Sequence, residues 1–147
     1  MHLEVAVYLP RESITVALVR TVVTNTLTVF GVDDDCIEDI RLALSEACTN
    51  VVMHATGDEE YEVQVRIDDD RCAISVRNTG DEFDPESLNT LLTDTDSPRG
   101  RGVPIMRAVM DEVSIESTPP KGTVVTLSRR LRLRWDAPLR QLRGRGA

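Results

Sequence analysis

From Leu3 to Leu9 apolar and polar side chains alternate until Pro10 interrupts them, the period of two that predicts a strand with one covered face. Residues 13 to 30 carry Ile14, Ala17, Leu18, Val22 and Leu27 at helical spacing, so they read as an amphipathic helix ended by Gly31. The many Val and Thr residues would equally suit a strand. Asp33-Asp34-Asp35 then supplies an N-cap and negative charge for a second helix, whose core stripe is Ile40, Leu44, Ala47 and Val51. At 100° per residue, Glu46 and Asn50 fall on the flank of that stripe, where a pocket wall would lie. Tyr61 to Ile67 and Cys72 to Val76 form a predicted hairpin across Asp68-Asp69-Asp70. A loop dense in turn residues follows from Asn78 to Pro85. Residues 86 to 101 have few large apolar positions, which predicts a mobile lid. Gly102 to Glu112 reads as a helix with Pro104 in its first turn. Val113 to Ser117 and Gly122 to Leu127 make a second hairpin over Pro119-Pro120-Lys121-Gly122, and an arginine-rich tail without periodicity follows.

Two of these segments carry candidate chemistry. Glu46 and Asn50, four residues apart, place a carboxylate and a carboxamide about 5 to 6 Å apart at Cβ on one helix face, a pairing that suits a base beside a magnesium ligand. The carboxamide oxygen of Asn50 is a hard donor of the kind Mg²⁺ accepts alongside water and phosphate oxygens. Arg99-Gly100-Arg101-Gly102 ends a polar loop and opens a helix, where backbone N–H groups converge to hold phosphate. Gly80 permits close backbone approach to a base or ribose, and Gly100 and Gly102 permit it to phosphates.

Composition narrows the classes. The 147 residues suffice for one domain with a real core, and only five aromatics imply that this core is aliphatic. No apolar run approaches the roughly 20 residues needed to span a bilayer, and Met-His-Leu-Glu-Val lacks the pattern of a secretory leader, so a cytoplasmic protein with no membrane partner is expected. Cys36, Cys48 and Cys72 are widely spaced with no CxxC, which predicts packed thiols. Of the net charge of −8, residues 129 to 147 contribute seven arginines against one acid, leaving −14 for the rest. Such a body argues against direct nucleic-acid binding and suits a basic protein partner.

Taken in order, these motifs resemble the ATP-binding domain of the GHKL superfamily, and within it the anti-sigma factor serine/threonine kinases of bacterial partner-switching systems. Residues 46 to 54, Glu46-Ala47-Cys48-Thr49-Asn50-Val51-Val52-Met53-His54, resemble the family's N box. Asn78-Thr79-Gly80 resembles its first glycine box. Gly100 to Met106 followed by Met110-Asp111-Glu112-Val113 resembles the second, and Lys121-Gly122-Thr123 the last. The resemblance implies an α/β two-layer sandwich of the Bergerat type, a mixed, mostly antiparallel sheet with helices on one face, spanning residues 1 to 130 with the tail at 131 to 147. It implies ATP or ADP with Mg²⁺ as cofactors and Glu46 as the base that activates a protein serine. Asn78 would accept from the adenine amino group and Thr123 would lie near adenine, while Arg99 and Arg101 reach either the γ-phosphate or an acidic partner. Implied partners are a sigma factor, an anti-anti-sigma factor of the STAS type and a second copy of the chain packed through the first strand or helix. The family's first glycine box begins with Asp where this chain has Asn78, and Glu82 replaces its second glycine. A second expectation therefore stands beside the kinase: a binding module of the same fold that sequesters its partner without using ATP.

Overall fold

A computed structural model describes residues 1–54, 60–78, 102–118 and 122–145. Among these described residues, five strands and four helices follow in the order β1 (His2–Pro10), α1 (Ser13–Val29), α2 (Asp34–His54), β2 (Glu60–Asp68), β3 (Arg71–Asn78), α3 (Gly102–Val109), β4 (Glu112–Thr118), β5 (Gly122–Arg130) and α4 (Pro138–Arg145). The strands form one sheet in the order β1-β2-β3-β5-β4, and every pairing among them is antiparallel. β3 is central. Its alternate residues Cys72, Ile74, Val76 and Asn78 are buried, as are Tyr61, Val63, Val65 and Ile67 of β2 beside them. Against this face lies α2, which packs on β3 and β5 and holds α1 on one side and α3 on the other. The result is a two-layer α/β sandwich with helices on one face, as the resemblance implies, and the described sheet is wholly antiparallel where a mixed, mostly antiparallel one was expected.

The period-two segments became strands because alternation gives each a dry face and a wet one. Asp69 turns the first hairpin with φ of 54°, a left-handed conformation that Asp tolerates better than most residues. Asp33 accepts the Asp35 N–H at 3.1 Å, and Asp34 and Asp35 place negative charge in the first turn of α2. The expected stripe of that helix, Ile40, Leu44, Ala47 and Val51, is wholly buried.

On α1 the structure buries the other stripe. Ile14, Leu18 and Val22 are 67%, 53% and 43% exposed, whereas Thr15, Val19, Val23 and Leu27 face the core. Val and Thr line the helix on both sides, so the pattern offered two faces. Thr15 is admitted to the core because its hydroxyl donates to the Glu12 carbonyl at 2.7 Å and accepts from the Tyr61 hydroxyl at 2.8 Å. α3 is also shorter than its apolar spacing predicts, ending at Val109 so that the Asp111 N–H can donate to Ser128 and β4 can begin at Glu112.

Past residue 130 the chain turns back across the α1–α2 junction. Val32 and Leu133 form an isolated bridge, and Leu131, Ala137 and Leu139 are buried. Gly31, at φ +84°, receives Ala137 so closely that a Cβ on Gly31 would stand 2.5 Å from that of Ala137. Only glycine fits there. The three cysteines are free and buried, as expected of packed thiols.

Candidate functional site

Local geometry brings three of the candidate residues together. Glu46 and Asn50 lie one turn apart on α2, and Gly102 opens α3, which packs directly against α2. A Cβ on Gly102 would stand 3.0 Å from Asn50 Nδ2, 3.2 Å from Glu46 Oε2 and 3.3 Å from Asn50 Oδ1. The absence of a side chain is therefore what lets the first turn of α3 approach both groups. Glycine at this position serves close approach, since Gly102 is buried.

Both side chains sit in unusual surroundings. Asn50 is only 5% exposed, and among the described residues its Nδ2 has no hydrogen-bond partner. A buried donor left in that state costs about 1–3 kcal/mol, which a fold retains where a ligand completes the bonding. Glu46 is half-buried, and desolvation raises its carboxyl above the ordinary carboxylate range. A carboxylate so placed is a stronger base than a solvated one.

Asn78 closes β3 on the helix-covered face and is fully buried. It pairs in register with Tyr61 of β2, and β3 itself packs against α2. Thr123 lies in β5 and His54 ends α2, each placed by its backbone. Gly80, Glu82, Arg99, Gly100, Arg101 and the expected lid at 86 to 101 lie outside the described residues.

A bracket behind the site escaped the sequence reading. Arg129 Nη1 donates to the Asp39 carboxylate on α2 and, at 3.0 Å, to the carbonyl of Val109, the last residue of α3. One guanidinium thus ties α2 and α3 to β5. In the sequence Arg129 opens a basic run, and the sheet register, opposite Cys72, places it here.

Comparison with known proteins identifies the family. Residues 9–129 match the histidine kinase-like ATPase domain, and the chain belongs to that family. Within it, serine-protein kinase RsbW of Bacillus velezensis is 34% identical over 134 residues, covering 84% of this chain and 82% of that protein. RsbW of Bacillus subtilis is 33% identical over 119 residues, 74% of each. Among solved structures, the RsbU and RsbW domains of Rv1364c from Mycobacterium tuberculosis superpose with a TM-score of 0.68 at 22% identity, over 88% of this chain and 32% of that longer one. The SiaB-SiaC complex from Pseudomonas aeruginosa supplies a second match of the fold, with a TM-score of 0.61 at 13% identity over 87% of this chain.

Proposed function

We propose that this protein is a cytoplasmic anti-sigma factor that sequesters a sigma factor and uses Mg-ATP to phosphorylate a serine or threonine on a small STAS-domain antagonist. The observation that carries the reading is the convergence of Gly102 on Glu46 and Asn50, in a chain whose relatives are named serine-protein kinases.

The residues present fit a nucleotide and its metal. The cradle at Gly102 opens a helix N-terminus toward phosphate, and Asn50 offers a buried carboxamide whose Nδ2 awaits a partner. Mg²⁺ held at Asn50 Oδ1 would neutralise charge on the phosphate oxygens. Glu46 takes the proton of the serine hydroxyl as its oxygen bonds to the γ-phosphorus and the bond to the bridging oxygen breaks, releasing ADP. Positioning and charge neutralisation carry most of such a transfer, which explains a site made of one base, one amide and backbone. Asn78, buried at the end of β3, accepts from adenine, with Thr123 nearby. By the family resemblance Gly80 and Gly100 would approach ribose and phosphate, and Arg99 and Arg101 would reach the γ-phosphate or an acidic partner.

The acidic body receives the basic sigma factor, and the apolar stripe of α1 forms the contact of a homodimer. Ile14, Leu18, Val22 and Val29, exposed on one side of that helix, support this assignment. A binding module without transfer is the second reading, because Asn78 offers adenine an amide oxygen without the charge of Asp. Radiolabelled ATP and the cognate antagonist decide between the two. Glu46→Gln keeps the shape and cannot accept the proton, so labelling falls by roughly two to four orders of magnitude while nucleotide affinity stays. Equal labelling by wild type and Glu46→Gln, or none by either, rejects the kinase.

A further inference from the structure

Trp135 is the only tryptophan of the chain and is 89% exposed. It occupies the corner of a β-turn closed by the Ala137 N–H donating to the Arg134 carbonyl at 3.1 Å. The turn is braced from several directions. The Arg134 N–H donates to Gly31 at 2.8 Å, and Arg140 donates to the carbonyls of Arg134 at 2.8 Å and Leu133 at 2.9 Å. Ala137 and Leu139 anchor the same segment in the core. The fold therefore holds a large aromatic side chain out in water on a rigid backbone.

Arg132 and Arg134 flank it on alternate, exposed positions. Arg132 has no ion pair among the described residues, and Arg134 has only the neighbouring, exposed Asp136 at 3.6 Å. Trp and Arg are the residue types that dominate binding energy at protein interfaces, and a pre-organised backbone lowers the entropy lost on docking. Around the turn, residues 131 to 142 hold three arginines against one acid, a net of +2 on a body of −14, so this surface repels a basic sigma factor and attracts an acidic protein. An anionic bilayer fits less well, because the body would be repelled from it. The surface also lies past residue 129, beyond the part matched by the family.

We infer that the Trp135 turn is a docking surface for the antagonist, acidic on its contacting face, and that it is separate from the phosphotransfer centre. The inference rests on the kinase reading above. The Asp33 N–H donates to Arg132 at 2.7 Å, so the turn lies at the start of α2. From Asp33 to Glu46 the chain rises about 20 Å at 1.5 Å per residue. A small protein domain spans that distance, so one antagonist can hold the turn while presenting its serine at Glu46.

The test labels the full-length protein with 5-fluorotryptophan, which gives a single ¹⁹F resonance, from Trp135. Purified cognate antagonist is expected to shift that resonance. Trp135→Ala should raise the antagonist's KM at least tenfold with kcat and sigma-factor affinity unchanged, Trp135→Tyr should recover part of the loss, and Arg132→Glu should act in the same direction with reduced salt dependence. An antagonist that is phosphorylated at the wild-type KM by Trp135→Ala, or that leaves the resonance unmoved, overturns the inference and leaves the kinase reading intact. A shift produced by the sigma factor or by phosphatidylglycerol vesicles instead of the antagonist also overturns it. No phosphorylation of the antagonist by the wild type defeats the kinase reading, and this inference with it.

Discussion

Substituting Gly102 by Ala separates the stability of this fold from its chemistry. An added Cβ would meet Asn50 and Glu46 at 3.0 to 3.3 Å, some tenths of an ångström inside ordinary contact, and the atoms it meets are the ends of side chains rather than backbone. Those ends can swing away. Against that strain stands the smaller conformational entropy that Ala gives the unfolded chain where the backbone admits it, about 0.4–1 kcal/mol. The two effects oppose each other at similar size, so the melting temperature should move by no more than a few degrees for a domain this long. Catalysis has no such compensation, because the methyl group displaces the base and the metal-binding amide together and fills the phosphate cradle. Misplacement of reacting groups by about 1 Å costs on the order of a hundredfold, so displacement by part of that should lower phosphate transfer roughly ten- to a hundredfold. Calorimetry of unfolding and transfer of radiolabel to the antagonist measure the two halves. Wild-type transfer by Gly102→Ala, or loss of transfer only in step with loss of fold, would refute the role given to this glycine.

Three further outcomes follow from the same contacts. Burial holds the Glu46 carboxyl above its usual range in the folded protein, so protonation favours the fold: that increment is present below the unfolded pKa and is lost as pH rises through the folded one. The acid limb of kcat/KM should accordingly lie above the ordinary carboxylate range, and Glu46→Gln should remove this pH dependence from the melting curve and unfold no sooner than wild type at neutral pH. Arg129→Met cuts the bracket from β5 to Asp39 and Val109, at a cost of about 1–3 kcal/mol in denaturant titration, and should weaken nucleotide binding in calorimetry although Arg129 touches no nucleotide contact. Leu139→Ala, at a fully buried position of α4, should destabilise by about 2–5 kcal/mol by chemical denaturation; a change under 0.5 kcal/mol would show that residues past 130 are not part of the cooperative unit.

The sequence made the sheet, α2 and the Glu46–Asn50 pair legible because each depends on a local period: two along a strand, and 3.6 along a helix with one apolar stripe. α1 was ambiguous for a physical reason. It carries apolar residues at 14, 18 and 22 and again at 19, 23 and 27, and the face that won includes a threonine whose hydroxyl bonds the Glu12 carbonyl nearby and Tyr61 far along the chain. Residues 131 to 145 were unreadable because their few apolar side chains are spaced between arginines, and their anchor is a tertiary fit to Gly31. The Arg129 bracket was hidden likewise, since an arginine in a basic run gives no sign that it faces inward. In the site, spacing alone brought Glu46 to Asn50, whereas the meeting with Gly102 depends on how α3 docks.

The buried thiols bear on what can reach this regulator. Burial pushes Cys48 and Cys72 up to about 12, so at neutral pH both are held as thiols, whereas a free cysteine is a few per cent thiolate. Peroxides and disulfides attack thiolates, and Cys36 has no exposed surface either. Thiol oxidation therefore has little purchase on the folded protein. Oxidative shock would thus leave the three thiols of the core, and the packing of α2 on the sheet that they share, as they were.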